Sequence, residues 1–196
     1  MGKDQVLFKL GYALSGTIML TDKNRNDKNF VIMSSDYNLL MKQALMEAKK
    51  GFERGEVPIG AVLVGLDGEI VAKAHNQPIS LRDPTAHAEI LTLRKAGVSY
   101  KNYRLKDTTL VVTMEPCIMC MGAALNARIS RLVFGASDPK SGAAGSLFNL
   151  AKDNRLNHRI EVISGIMEEE CGGLLQGFFR LRRREKTIHG EVPKWS

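Results

Sequence analysis

The chain has 196 residues, 44% of them hydrophobic, which is enough for one well-buried domain and short for two. Its three cysteines exclude a dense disulfide framework and favour the cytoplasm. The formal net charge of +7 is compatible with an anionic partner, although many soluble proteins carry a similar excess.

The N-terminal segment does not follow the pattern of the rest of the chain. Residues 6–20 are moderately apolar, but charged and small residues interrupt them, and the stretch is too short to span a membrane. No cleavage site of a signal peptide follows, because residues 22–29 are polar and charged. We therefore interpret residues 1–33 as a dispensable extension that is disordered or precedes the native start, with Met33 as an alternative start.

The next residues alternate helical and strand patterns. A first helix is predicted over residues 36–52, where apolar residues recur with the period of a helix and glycines follow. Two strands are predicted over residues 57–64 and 69–74, and the turn sequence Leu66-Asp67-Gly68 between them indicates a hairpin.

The later elements complete a single α/β domain. They are predicted as a helix that ends near Gly97, a strand over residues 109–113, a helix that ends near Ala127, strands over residues 131–135 and 160–163, and a helix over residues 167–186. This order predicts a mixed five-stranded sheet with helices on both faces. The domain would span residues 34–187, and residues 188–196 would form a C-terminal tail.

Two short motifs carry metal-binding residues. The first is His87-Ala88-Glu89, for which Asp83 is predicted as the helix cap and Pro84 as the first helical residue. The second is Pro116-Cys117-Ile118-Met119-Cys120, whose proline suits a helix start. Both sulfurs can point at one metal from the first turn, where free N–H groups favour thiolates.

Together, the motifs match a hydrolytic metal site. His87, Cys117 and Cys120 make three ligands, which is typical of catalytic zinc with an open fourth position, whereas structural zinc has four protein ligands. Zinc lowers the pKa of a bound water from about 15.7 toward roughly 7. Glu89 is not needed as a ligand, and we interpret it as the proton shuttle. A redox cysteine pair, half of a structural zinc knuckle and a core histidine are the alternatives, and the presence of both motifs disfavours them.

Two further residues near these patterns have simpler interpretations. Cys171 lies in a run of small residues and is predicted to be a buried packing residue. Glu115 is interpreted as a charge favoured near a helix N-terminus rather than as a second base.

A basic stretch near the C-terminus lies beside two aromatic residues. Its members are Phe178, Phe179, Arg180, Arg182, Arg183, Arg184 and Lys186. Cations with neighbouring aromatic rings suit phosphates and stacked bases. In the alternative, the phenylalanines pack into the core and the arginines form a solvated helix end. Both can hold, with the phenylalanines as anchors and the arginines as phosphate contacts.

Several segments besides the metal motifs carry a resemblance to a known family. They are Glu56-Val57-Pro58-Ile59-Gly60-Ala61-Val62, His75-Asn76, Asn102-Tyr103-Arg104-Leu105, Asp138-Pro139-Lys140-Ser141-Gly142-Ala143-Ala144-Gly145-Ser146 and Phe178-Phe179-Arg180-Leu181-Arg182-Arg183. With them, the chain resembles the cytidine deaminase-like superfamily and, within it, the bacterial tRNA-specific adenosine deaminases. The resemblance runs from about residue 37 to about residue 186 and implies a three-layer α/β/α cytidine deaminase-like fold.

The resemblance also implies a function. The expected reaction converts the adenosine at the wobble position of a tRNA anticodon to inosine, in a cytoplasmic homodimer with one Zn²⁺ per subunit and no membrane association. A free nucleoside, base or nucleotide of the cytidine, deoxycytidylate or guanine type is the alternative substrate, and the basic, aromatic tail disfavours it. A non-catalytic zinc- and RNA-binding subunit is a second alternative, which the intact Glu89 disfavours.

By the same resemblance, further residues are expected at the substrate. Asn76 would hydrogen-bond the flipped nucleoside, and Val57 and Ala88 would line its pocket. Asp138 and Lys140 would contact the anticodon loop. Phe178, Arg180, Arg182 and Arg183 are further candidates for RNA contact, which follow from the basic and aromatic character of their stretch rather than from the resemblance. Ordinary structural roles remain open for Val57 as a strand residue, for Asn76 as a turn former and for Asp138 as a turn initiator.

Overall fold

The computed structural model describes residues 11–12, 18–19 and 34–189, and the side chains of residues 37–185. The chain divides into two compact units, Met1–Val31 and Ile32–Ser196. In the first unit, β1 (Gly11–Tyr12) pairs antiparallel with β2 (Ile18–Met19). The rest of the predicted extension, its alternative start and the tail after residue 189 lie outside the described residues.

A five-stranded sheet forms the centre of the second unit. Its strands are β3 (Gly60–Val64), β4 (Ile70–His75), β5 (Thr109–Met114), β6 (Arg131–Ala136) and β7 (Glu161–Ile163). The order across the sheet is β4-β3-β5-β6-β7, in which β3 pairs antiparallel with both neighbours and β5, β6 and β7 run parallel. The predicted mixed sheet is therefore confirmed.

Helices cover both faces of this sheet. They are α1 (Ser34–Glu53), α2 (Pro78–Leu81), α3 (Ala88–Tyr100), α4 (Ile118–Ala127) and α5 (Glu168–His189). Successive strand residues point to opposite faces, so Leu110 packs with α3 and α4 while Val111 packs with α1 and α5. Cys171 is buried in the second of these cores, which confirms its packing role. The architecture is a three-layer α/β/α fold, as expected.

One close contact brings α1 directly onto the sheet. A Cβ atom built on Gly60 would lie 2.0 Å from the carbonyl oxygen of Ala44 and 2.5 Å from the backbone nitrogen of Ala48. No side chain fits between these backbones, so glycine at this position sets the spacing between α1 and β3.

The prediction for the start of α3 was wrong. His87 occupies the N-cap position and the helix begins at Ala88, so Asp83 is not the cap and Pro84 is not the first helical residue. The Asp83 carboxylate instead accepts hydrogen bonds from the Thr85 backbone at 2.8 Å and hydroxyl at 2.7 Å, which closes a turn. Local bonds of this kind compete with helix formation.

Two further details of the helix boundaries differ from the sequence interpretation. Cys117 is the N-cap of α4, so Pro116 precedes the cap instead of opening the helix. The four-residue α2 was not predicted. Among the described helices, none has the length and apolar character of a bilayer-spanning segment.

Candidate active site

The structure brings together the three residues that the motifs mark as metal ligands. The Nδ1 atom of His87 lies 3.8 Å from the Cys117 Sγ atom and 3.5 Å from the Cys120 Sγ atom. All three ligand atoms lie within 4.8 Å of one another. His87 caps α3, while Cys117 and Cys120 lie at the start of α4. A single metal ion could therefore be held between two helix N-termini.

The start of α3 is held by a residue that follows β4. The Oδ1 atom of buried Asn76 accepts a hydrogen bond of 2.8 Å from the Ala88 backbone N–H. His87 provides no side-chain cap of its own. Asn76 therefore satisfies a backbone donor that the first turn leaves unpaired, and it orients the segment that carries His87 and Glu89.

The protonation of the three ligands is coupled. Hydrogen bonds with Cys120 and then His87 lower the pKa of the Cys117 thiol to about 4. The bond with Cys117, followed by burial, raises the pKa of Cys120, and bonding to Cys117 raises the pKa of His87. A bound cation would displace the remaining protons, so metal affinity should fall as the pH falls.

Glu89 lies in the first turn of α3 and is only 3% exposed. Among the side chains that the structure describes, its Oε2 is the single buried polar atom without a hydrogen-bond partner. Burial raises the pKa of this carboxyl group. An unpaired buried oxygen is costly, and this one lies beside the candidate ligand cluster.

Glu115 has a different role from the helix-terminal charge expected from the sequence. Its buried carboxylate accepts hydrogen bonds of 3.0 Å from the backbone N–H groups of Asp138, Ala144 and Ser146, and another from the Ser146 hydroxyl. Burial alone would raise the pKa of Glu115, but these bonds outweigh it and the pKa is lowered. Glu115 therefore anchors residues 138–146, which we call the Glu115 loop.

The Glu115 loop lies directly against the metal-ligand motif. Gly142 pairs with Cys117 in an isolated antiparallel bridge, and the Ala143 N–H donates to the Pro116 carbonyl at 2.9 Å. A Cβ atom on Gly142 would lie 2.4 Å from the Glu115 carboxyl carbon. The parallel pairing of β5 and β6 explains this contact, because their C-terminal ends meet at the same edge of the sheet.

The other residues expected at the substrate occupy varied environments. Ala88 is buried, and half-buried Val57 precedes β3 instead of lying in it. The Asp138 carboxylate accepts bonds from the Lys140 and Ser141 backbone N–H groups and the Ser141 hydroxyl. The turn-forming alternative therefore describes the Asp138 side chain, whereas Lys140 is exposed.

In the basic stretch, the Phe178 ring holds α5 to the end of α1. Phe178 is 6% exposed, and its ring centroid lies 5.5 Å from that of Phe52. The Arg182 guanidinium lies 5.4 Å from the Phe178 ring and donates to the Gly55 carbonyl at 2.8 Å. These contacts match the anchoring description for Phe178 but not for Phe179, which is 42% exposed. Arg180 and Arg183 are exposed on α5.

Sequence reasoning also missed the structural role of Glu56, another buried carboxylate. Glu56 is 1% exposed and accepts bonds from the Ile79 N–H at 3.2 Å and from the Ser80 N–H and hydroxyl at 2.8 and 2.9 Å. It anchors α2, which leads toward His87. No local pattern marks either Glu56 or Glu115, because their partners lie more than twenty residues away in the chain.

The contacts of Glu115 predict the effect of a conservative change. Glu115→Gln replaces one carboxylate oxygen by an amide N–H₂ group, which faces the backbone N–H groups that donate to Glu115 and cannot accept from them. We therefore expect the Glu115 loop to loosen and the free energy of unfolding to fall by about 1–3 kcal/mol. Hydrogen exchange should accelerate at Ala144 and Ser146. Asp153→Asn is the control, since exposed Arg155 supplies the bonds to that carboxylate. Unchanged exchange in Glu115→Gln would contradict the anchoring role.

Comparison with known proteins assigns this chain to a family. A family model described as MafB19-like deaminase matches residues 35–183. The tRNA-specific adenosine deaminase of Bacillus subtilis is 52% identical over 157 residues, which cover 80% of this chain and 97% of the relative. That of Haemophilus influenzae is 51% identical over 155 residues, which cover 79% and 90%.

Solved structures agree with these relatives. A structure from studies of A-to-I editing by tRNA:A34 deaminases is 44% identical, with a TM-score of 0.67, and the match covers 69% of this chain and 98% of that one. A guanine deaminase from Nitrosomonas europaea is 21% identical, with a TM-score of 0.61 over 72% and 83% of the two chains, and shows the shared fold alone. The chain belongs to the tRNA-specific adenosine deaminase family.

Proposed function

We propose that this protein hydrolyses adenosine to inosine at the wobble position of a tRNA anticodon, with release of ammonia. The observation that carries the proposal is the His87, Cys117 and Cys120 cluster with the unpartnered Glu89 oxygen buried beside it. Family membership supports the choice of adenosine in tRNA over a free nucleoside or base. The cytoplasm, where tRNA is used, is the proposed location.

The cluster fits one zinc ion per subunit. In a tetrahedral site with Zn–S near 2.3 Å and Zn–N near 2.0 Å, neighbouring ligand atoms lie about 3.6 Å apart. The distances from His87 Nδ1 to the two sulfurs are 3.5 and 3.8 Å. Three protein ligands leave a fourth position open, as in catalytic zinc sites. When bound, zinc would activate the water that attacks C6 of the adenine ring.

Glu89 would carry the protons of the reaction. Its Oε2 atom is free to accept a proton from the attacking water and to donate it to N1 of the adenine. A second proton would pass to the amino group as the C6–N6 bond breaks and ammonia leaves. The raised pKa of the buried carboxyl suits a group that must hold a proton between these steps.

The nucleoside pocket would use residues around the start of α3. Because Asn76 Oδ1 already accepts the Ala88 N–H, Asn76 would present its amide N–H₂ group to the substrate as a donor. Val57 and small Ala88 would line the pocket. Asp138 and Lys140 would contact the anticodon loop, and Arg180, Arg182 and Arg183 would face its phosphates while Phe178 anchors them.

A homodimer is the proposed assembly, and an apolar groove between α3 and α4 is its proposed interface. The groove is lined by Ile90, Leu93, Val98, Ile118 and Met119, among others. Val98 is 79% exposed and Ile118 is 51% exposed. A second copy would remove these side chains from water, and it would lie close to the metal ligands because Ile118 and Met119 separate Cys117 from Cys120.

The substrate is tested with an anticodon stem-loop that carries adenosine at the wobble position. We expect inosine in the stem-loop, measured by mass spectrometry of the digested RNA, and no turnover of free adenosine, cytidine or guanine. Turnover of a free compound alone would assign a small-molecule deaminase. No product from metal-loaded protein would contradict the proposed reaction.

Metal analysis tests the ligand cluster. Wild-type protein should hold about one zinc per chain and Cys117→Ser far less, while Cys171→Ala is the control because Cys171 packs in the core away from the cluster. Glu89→Gln should keep the metal and lose roughly 10²- to 10⁴-fold in rate. Metal loss in Glu89→Gln would contradict its role as a proton shuttle, and retained metal in Cys117→Ser would contradict the ligand set.

Sedimentation analysis tests the interface. Val98→Glu should convert a dimer to a monomer, because it places a charge in the apolar groove. Leu39→Glu is the matched control, since Leu39 is 61% exposed on α1, which does not line the groove. A monomeric wild type, or a Val98→Glu variant that remains dimeric, would contradict the proposal.

A further inference from the structure

An exposed aromatic residue lies just after the Glu115 loop, two residues beyond Ser146. Phe148 is 46% exposed and follows Leu147, which is 54% exposed. The pairing of Ala144 with Asn149 makes this segment a small hairpin. A large aromatic ring exposed at a loop tip is costly in water, so the position of Phe148 calls for an occupant.

The backbone of Phe148 is held on both sides. Its N–H donates to the Gly142 carbonyl at 3.0 Å, and its carbonyl accepts a bond of 2.9 Å from the Gly145 N–H. Two residues earlier, the backbone and hydroxyl of Ser146 donate to Glu115. The ring is therefore presented from a fixed backbone, which lowers the entropy that a bound ligand must remove.

Phe148 is also close to the reaction site. Gly142 is bonded to Phe148 and paired with the ligand Cys117. Gly142 therefore links the backbone of Phe148 to that of Cys117 through direct neighbours. A nucleotide next to the one at the metal site would lie near this link.

We propose that Phe148 is a stacking platform for a base that flanks the target adenosine. Unpaired RNA bases stack on aromatic side chains, and this contact tolerates different bases. Exposed Lys140 in the neighbouring Glu115 loop would supply a cation for the adjoining phosphate. The inference rests on the proposed function, because it assumes a single-stranded RNA loop at the metal site.

Other aromatic side chains are less suited to this role. The ring of Phe178 is buried between Phe52 and Phe179 at centroid distances of 5.5 and 5.6 Å. Exposed Tyr103 already has the Arg104 guanidinium 5.3 Å from its ring centroid. Among the described aromatic residues, Phe148 combines exposure, a fixed backbone and a short path to a metal ligand.

The test is a substitution series at Phe148 with the wobble-adenosine stem-loop. Phe148→Ala should raise KM and the Kd for the stem-loop roughly 5- to 150-fold, which is the loss expected when a stacked base loses its aromatic partner. The rate at saturating substrate should change by less than about threefold, because Phe148 does not touch the reacting atoms. Phe148→Leu should behave like the alanine variant, and Phe148→Trp should restore wild-type values.

Leu147→Ala is the matched control, since it removes an equally exposed apolar side chain without an aromatic face. It should leave KM within about twofold of the wild type. Equal losses in Leu147→Ala and Phe148→Ala, or full activity in Phe148→Leu, would overturn the stacking role in favour of general apolar contact.

Abasic substrates identify the stacked base. When the base that stacks on Phe148 is replaced by an abasic nucleotide, wild type and Phe148→Ala should have the same KM and Kd for the stem-loop. This should happen for an abasic nucleotide on one side of the target adenosine only. If Phe148→Ala still has a higher KM and Kd than the wild type on both abasic stem-loops, one for each side of the target, the proposal is overturned. If the wild type binds the stem-loop without deaminating it, the proposed function fails and the Kd series still tests Phe148. An absence of both binding and turnover overturns both.

Discussion

The active site depends on the meeting of two helix N-termini. His87 occupies the N-cap position of α3, and Cys117 occupies that of α4 thirty residues later in the chain. Only the packing of the two helices on one sheet face can therefore bring them together. At a helix start, free N–H groups favour thiolates and carboxylates. The same geometry therefore positions the three candidate metal ligands and tunes their charge.

Three of the buried glutamates, Glu56, Glu89 and Glu115, differ in their hydrogen bonding. Glu56 anchors α2 and Glu115 anchors the loop after β6, and each accepts several hydrogen bonds. Glu89 differs because one of its oxygens has no partner among the described residues. A satisfied carboxylate holds structure in place, whereas an unsatisfied one beside a metal cluster can exchange protons.

Local patterns predicted the elements well where periodicity was strong. The buried strand pattern that ends at Val64 and the helical period after Asp36 correspond to β3 and α1. The start of α3 was mistaken because Asp83 and Pro84 match a helix-cap pattern and also a turn pattern. The choice between the two depended on α2, which Glu56 holds through bonds to Ile79 and Ser80.

The sequence by itself determined which chemistry to propose for this protein, because His87, Glu89, Cys117 and Cys120 stand in short motifs whose spacing is local. It also determined the alternation of helices and strands, since each element has its own period. Only the tertiary structure decided which carboxylate stays unpaired and which loop covers the ligands. Those outcomes depend on hydrogen bonds between residues distant in the chain, such as Glu115 with Ser146, which no local pattern encodes.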